Sequence, residues 1–356
     1  MKKNDIFSYS FYRDSLLRLR LFGIICAVVF AVPSAVNSFA YLIALFNPSV
    51  QGEIVVELVS VASLVGNLYT FVPIVIPIMT VFTFSFLMKR KGADFYGALP
   101  VSRGAMAVSG MLAVLTVSVF VISVTVASGM VFLLPGLGLI EYDVLLSIGE
   151  FFSLILSSLL AIVISTLAVS VTGTALNAVM TTYIFMFIPR MLLVHINVSL
   201  GALNHSLDEA VISFFDRKYN LLFAFARGNE ILTDVWSFVY TILLIAVIGW
   251  LSVILFKRRP SEAATHPFVY PIARHISRIL LATLVSSLGI IIFLAIPLLA
   301  LISVILVIHS VIVYFVYELI TGRKEGQFKQ ALITFPIYVG LNVLIVVTVL
   351  VLNAFI

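Results

Sequence analysis

Few residues in this chain have the type and spacing for chemistry. Five histidines occur, His195, His205, His266, His275 and His309, and their intervals match no metal-ligand pattern. The sequence holds no H-E-x-x-H, no G-x-S-x-G and no G-x-x-x-x-G-K-[ST]. The nearest glycine–basic cluster, Thr321-Gly322-Arg323-Lys324-Glu325-Gly326, has the wrong spacing to wrap a phosphate. Cys26 is the one cysteine, so neither a disulfide nor a cysteine metal site is available. The expectation is a chain with no catalytic residues, no metal and no cofactor of its own. Two features remain. One is Arg190, a charge inside an apolar run that also carries His195. The other is a segment suited to docking.

That segment runs over 89–104. Lys89, Arg90 and Lys91 lead into Asp94, Phe95, Tyr96, Leu99 and Pro100, and Arg103 closes it. A solvated loop has little use for two aromatics and a leucine held together ahead of a proline. A short helix that docks into something does. Positive charge this close to apolar spans places the segment on the cytoplasmic side.

The elements that position it are membrane helices. The 356 residues are 62% hydrophobic and only 10% charged, with a mean hydropathy of +1.21. Soluble chains carry roughly 25% charge. Nine apolar spans are expected, at about 21–46, 66–88, 105–134, 147–171, 175–199, 234–256, 279–296, 298–319 and 331–355. Each can cross a hydrocarbon core of about 30 Å. Pro73 and Pro77 should kink the second span, and Pro297 should turn the chain between the seventh and eighth. A signal peptide is the competing reading of the N-terminus, but the first run is long enough to span and is read as retained.

Orientation follows from charge. The proposed cytoplasmic parts hold 17 of the 21 lysines and arginines, and the outer loops carry most of the acids. This predicts an all-α protein with its N-terminus in and its C-terminus out. The +5 net charge then belongs to membrane flanks and implies no nucleic-acid partner. Residues 1–20 are a basic segment, cytoplasmic or interfacial. Residues 21–256 form a six-span core with an outer loop at 200–233, 257–278 a cytoplasmic linker, and 279–356 a three-span extension. Arg190 either lines a translocation path with His195, or snorkels and pairs locally, because a central charge costs about 3 kcal/mol on insertion scales. Glu318 is expected at the interface near Arg323.

The run from Met88 to Arg103, basic then acidic–aromatic and ending Leu99-Pro100-Val101-Ser102-Arg103, resembles the inner loop of bacterial type-2 ABC exporter permeases. Lys257-Arg258-Arg259-Pro260-Ser261-Glu262 is similar to a segment in a Gram-positive branch with extra C-terminal helices. The resemblance implies a permease subunit in the bacterial cell membrane. It implies a coupling helix within 93–100, using Asp94, Phe95, Tyr96, Leu99, Pro100 and Arg103. It also implies a second permease copy or paralogue, and cytoplasmic ATPase subunits that bind the ATP and Mg. Spans with few polar groups fit an amphipathic, peptide-like or lipid-like cargo. The rival readings are a secondary transporter, for which Arg190 and His309 are thin material, and a membrane sensor or scaffold.

Overall fold

A computed structural model describes residues 6–46, 68, 71–136, 144–187, 191, 235–260, 262, 264–295, 300–321 and 327–355. The chain opens with α1 (Tyr9–Phe46), one unbroken helix of 38 residues. At 1.5 Å per residue it is about 57 Å long, nearly twice the hydrocarbon core. Residues 9–20, expected as a separate segment, therefore continue the first span without interruption.

The second apolar run carries one short helical stretch, Phe71–Thr83, that is irregular where its prolines lie. A π-helical turn over Phe71–Val75 contains Pro73, and α2 (Ile76–Thr83) carries Pro77 in its first turn. There the missing N–H costs no helical hydrogen bond. A 3₁₀ turn, Ser85–Met88, leads to α3 (Arg90–Ala98). Leu99 is extended, as the residue before Pro100 should be. Ser102 then caps α4 (Arg103–Leu133), its hydroxyl accepting from the Ala105 N–H at 3.1 Å. The remaining helices are α5 (Val144–Val171), α6 (Ala175–Phe187), α7 (Val235–Arg258), α8 (Pro271–Ala295), α9 (Ala300–Thr321) and α10 (Gln327–Phe355).

Six of these, α1, α4, α5, α7, α9 and α10, are long and apolar enough to cross a membrane. Among the described residues there is no strand, only an isolated bridge between Thr172 and Phe268. The protein is an all-α, multi-pass membrane protein. Eight of its buried hydroxyls are made compatible with an apolar interior locally: Thr80, Thr83, Ser118, Thr125, Ser158, Ser165, Thr166 and Ser170 each donate to the carbonyl four residues back.

The chain divides into two compact units. The first is Met1–Ser170 with Leu221–Ser261, and the second is Val171–Asn220 with Glu262–Ile356. The division falls near the expected linker but also draws α6 into the C-terminal unit. The reason is local: Gly173 and Val171 pair through their backbones with Thr265, Pro267 and Val269, and Asn177 donates to the Pro267 carbonyl at 3.2 Å.

In the first unit α1 and α4 run parallel. Ser8 meets Ser109, Gly23 faces Val117, and Ser34 donates to the Thr125 carbonyl at 3.1 Å. In the second unit three helices run up, down and up. The α8–α10 pair is fixed by three hydrogen bonds, Arg274 to Gln330, Arg278 to Thr334 and Ser286 to Asn342, all at the same sequence offset of 56. Tyr314 and Ser310 of the returning α9 meet Thr334 and Tyr338 of α10 in the reverse order.

Candidate functional site

α3 has two faces. Its inner side is Ala93, which is buried, with Gly92 and Tyr96 half-buried. Its outer side is Lys91, Asp94, Phe95 and Ala98, all exposed and spaced i, i+3, i+4, i+7. That spacing is one helix stripe. Phe95 is 62% exposed, a large apolar side chain held out from the body of the unit.

The inner side is pinned to the first helix. The Tyr96 ring lies 4.2 Å from Phe86 and 6.0 Å from Phe11 between centroids. Arg18 sits 5.3 Å over the same ring and donates to its hydroxyl, and Asp14 is 3.5 Å from that hydroxyl. Asp14 and Arg18 pair at 2.7 Å across one turn of α1. Gly92 allows the close approach: a Cβ there would stand 2.7 Å from the Phe86 carbonyl oxygen. Backbone cannot move aside as a side chain can, so α3 lies against the preceding turn only with glycine at that position.

Beneath α3 lies Arg259, just past the end of α7 and only 3% exposed. Its guanidinium donates to the Leu87 carbonyl at 3.0 Å and to the Val169 carbonyl, while its own carbonyl accepts from Arg103. One residue thus joins the C-terminal ends of the 3₁₀ turn, α5 and α7 and, through its backbone carbonyl and Arg103, the start of α4. The last carbonyls of a helix lack partners and carry partial negative charge, which an arginine fork suits. A space of about 20 Å³ bounded by Tyr96, Arg103 and Arg259 has room for one water.

The expected site residues therefore separate. Asp94 and Phe95 face outward and Pro100 is exposed. Leu99 is half-buried, Tyr96 is committed to α1, and Arg103 to Arg259. Arg190 and His195 lie outside the described residues, as does the outer loop at 200–233.

A second cluster is buried in the C-terminal unit. Arg278 is 0% exposed and Glu318 2%, and they form an ion pair. Arg274 lies 3.4 Å from the same carboxylate. Arg278 also donates to Thr334 and, at 3.1 Å, to His275 Nδ1, and it lies 4.4 Å over the Tyr314 ring. Burial, then the charges of Arg278 and Arg274, pull the His275 pKa from 6.5 to about 4. The imidazole is neutral and accepts at Nδ1. Glu318 is thus a buried residue and not an interfacial one, because α8 brings two arginines to its depth; Arg323, expected near it, lies outside the described residues.

Comparison with family models, with curated proteins and with solved structures finds no match to this chain.

Proposed function

We propose that the chain is the membrane-spanning permease subunit of an ATP-driven ABC exporter, with α3 as the element through which a separate cytoplasmic ATPase acts. The observation that carries this is the pairing of an outward stripe, Lys91, Asp94, Phe95 and Ala98, with an inner side fastened to α1 through Tyr96 and a preceding turn fastened to Arg259. An exposed aromatic flanked by charges suits an interface, where one buried anchor carries most of the energy and rim charges carry little. Tyr96 ties α3 to α1, and Arg259 ties the 3₁₀ turn just ahead of α3 to the ends of α4, α5 and α7, so displacement of this segment moves them together. ATP and Mg belong to the partner, and this chain binds rather than hydrolyses. The wider reading is nine spans with the N-terminus in and the C-terminus out, a dimer of permeases in a bacterial cell membrane, and an amphipathic, peptide-like or lipid-like cargo.

The test is whether the neighbouring gene encodes an ATPase with no membrane spans, and whether that ATPase co-purifies with the full chain. Wild type should retain the ATPase, and Phe95→Asp should release it while the chain still inserts and folds. Undiminished association and ATPase activity in Phe95→Asp and in Asp94→Ala would remove α3 from the coupling role.

A further inference from the structure

The C-terminal unit contains a cavity of about 340 Å³ that neither the resemblance nor the coupling reading explains. We infer that it holds one acyl chain of an anionic phospholipid, whose headgroup lies at the arginine end of the same three helices.

The lining excludes a hydrogen-bonding guest. Only Ser286, Tyr338 and Asn342 offer polar side-chain groups, and all are engaged. Ser286 donates to Asn342 Oδ1, Asn342 donates to the Tyr338 carbonyl at 2.8 Å, and the Tyr338 hydroxyl pairs with Ser310. The remaining wall is apolar, with Val307 and Val311 from α9 and Val339, Val343 and Val347 from α10. A space of this kind stays dry and takes apolar guests.

Shape selects the guest. On α10 the lining runs from Phe335 to Val347, about 18 Å along the axis, comparable with one leaflet's share of a roughly 30 Å core. An unbranched hydrocarbon chain of that reach can lie along this space against the valines of α9 and α10. Val339 and Val343 face it and are nevertheless exposed, so it opens to its surroundings, which for α9 and α10 are lipid.

Charge selects the headgroup. Thr334, next to Phe335 at the floor of the cavity, is bonded to Arg278, and Gln330, one turn further, is bonded to Arg274. Two arginines face one carboxylate there, leaving a net positive charge, and of the two it is Arg274 that keeps some exposure, its side chain 8% accessible. Surplus buried positive charge is costly unless an anion completes it.

The experiment does not depend on any ATPase. The purified full chain is exchanged into mixed micelles of equal phosphatidylglycerol and phosphatidylcholine and weighed by native mass spectrometry. Wild type should carry one phosphatidylglycerol per chain, preferred about tenfold, the equivalent of one charge-assisted hydrogen bond. Val339→Phe and Val343→Phe, made separately, should each lose the lipid. Leu344→Phe, on an exposed face of α10 away from the cavity, should keep it. Arg274→Gln should bring the two lipids to parity. The proposal is overturned by no bound phospholipid, by parity in wild type, by a detergent or fatty acid in its place, by retention in both filled variants, or by undiminished preference in Arg274→Gln.

Discussion

Arg259 and Leu87, 172 residues apart, are joined by a 3.0 Å hydrogen bond from a buried guanidinium to the carbonyl at the end of a broken span. The same guanidinium holds Val169. Replacing Arg259 by glutamine leaves at least one of these acceptors buried without a donor, at about 1–3 kcal/mol each. A clear fall in the melting temperature of the full chain in detergent is expected. Lysine should restore only part of it, because one ammonium cannot reproduce a planar fork.

Phe95 and Tyr96 are neighbours with opposite duties, and paired substitutions separate them. Phe95→Ala removes an exposed ring and should leave stability within about 0.5 kcal/mol, while costing about 2 kcal/mol or more in ATPase association. Tyr96→Ala should lower the melting temperature even without a partner, since it strips Arg18, Phe11 and Phe86 of their contact. Equal melting temperatures for the two variants would contradict the assigned faces.

Gly92→Ala tests the seat of α3. The added carbon meets the Phe86 carbonyl oxygen at 2.7 Å, so the helix must shift, at about 1–3 kcal/mol. Limited proteolysis of the 89–104 segment should quicken. An unchanged digestion rate would show that α3 does not lie against that turn.

Removing one member of the buried ion pair is more severe than removing both. Glu318→Gln leaves Arg274 and Arg278 without their counter-charge, and breaking a buried pair in this way costs about 3–5 kcal/mol. Glu318→Leu combined with Arg278→Met should cost less than the sum of the two single changes. Additive losses in thermal unfolding would argue against coupling.

His275 gives the pH dependence its sign. The unfolded chain takes up a proton near pH 6.5 that the folded imidazole refuses until about 4. The unfolded state therefore binds more protons within that window, and the stability present above pH 6.5 declines as pH falls toward about 4. His275→Gln should flatten this part of the curve.

Much of this architecture was legible beforehand, for physical reasons. Apolar runs of span length form helices whatever their neighbours do, and the prolines expected to kink the second run lie in and just after its π-helical turn. The stripe Lys91–Asp94–Phe95–Ala98 was readable from helical spacing, and would have shown that Tyr96 faces the other way. Arg259, Arg274, Arg278 and Glu318 were not legible in their roles. Hydropathy treats a basic residue beside a span as a solvated flank, whereas these four are buried because distant helices deliver carbonyls and counter-charges to them. Burial created by tertiary contact leaves no local mark.

The constant offset of 56 between α8 and α10 makes that pair behave like a key with three teeth. Sliding α8 by a single turn would carry Arg274 to the threonine that Arg278 now holds and take Ser286 away from Asn342. Inserting one residue in α8 between Arg278 and Ser286 would rotate the upper tooth by about 100° while leaving the lower two seated. The upper contact can therefore be lost while the two arginine contacts below it hold.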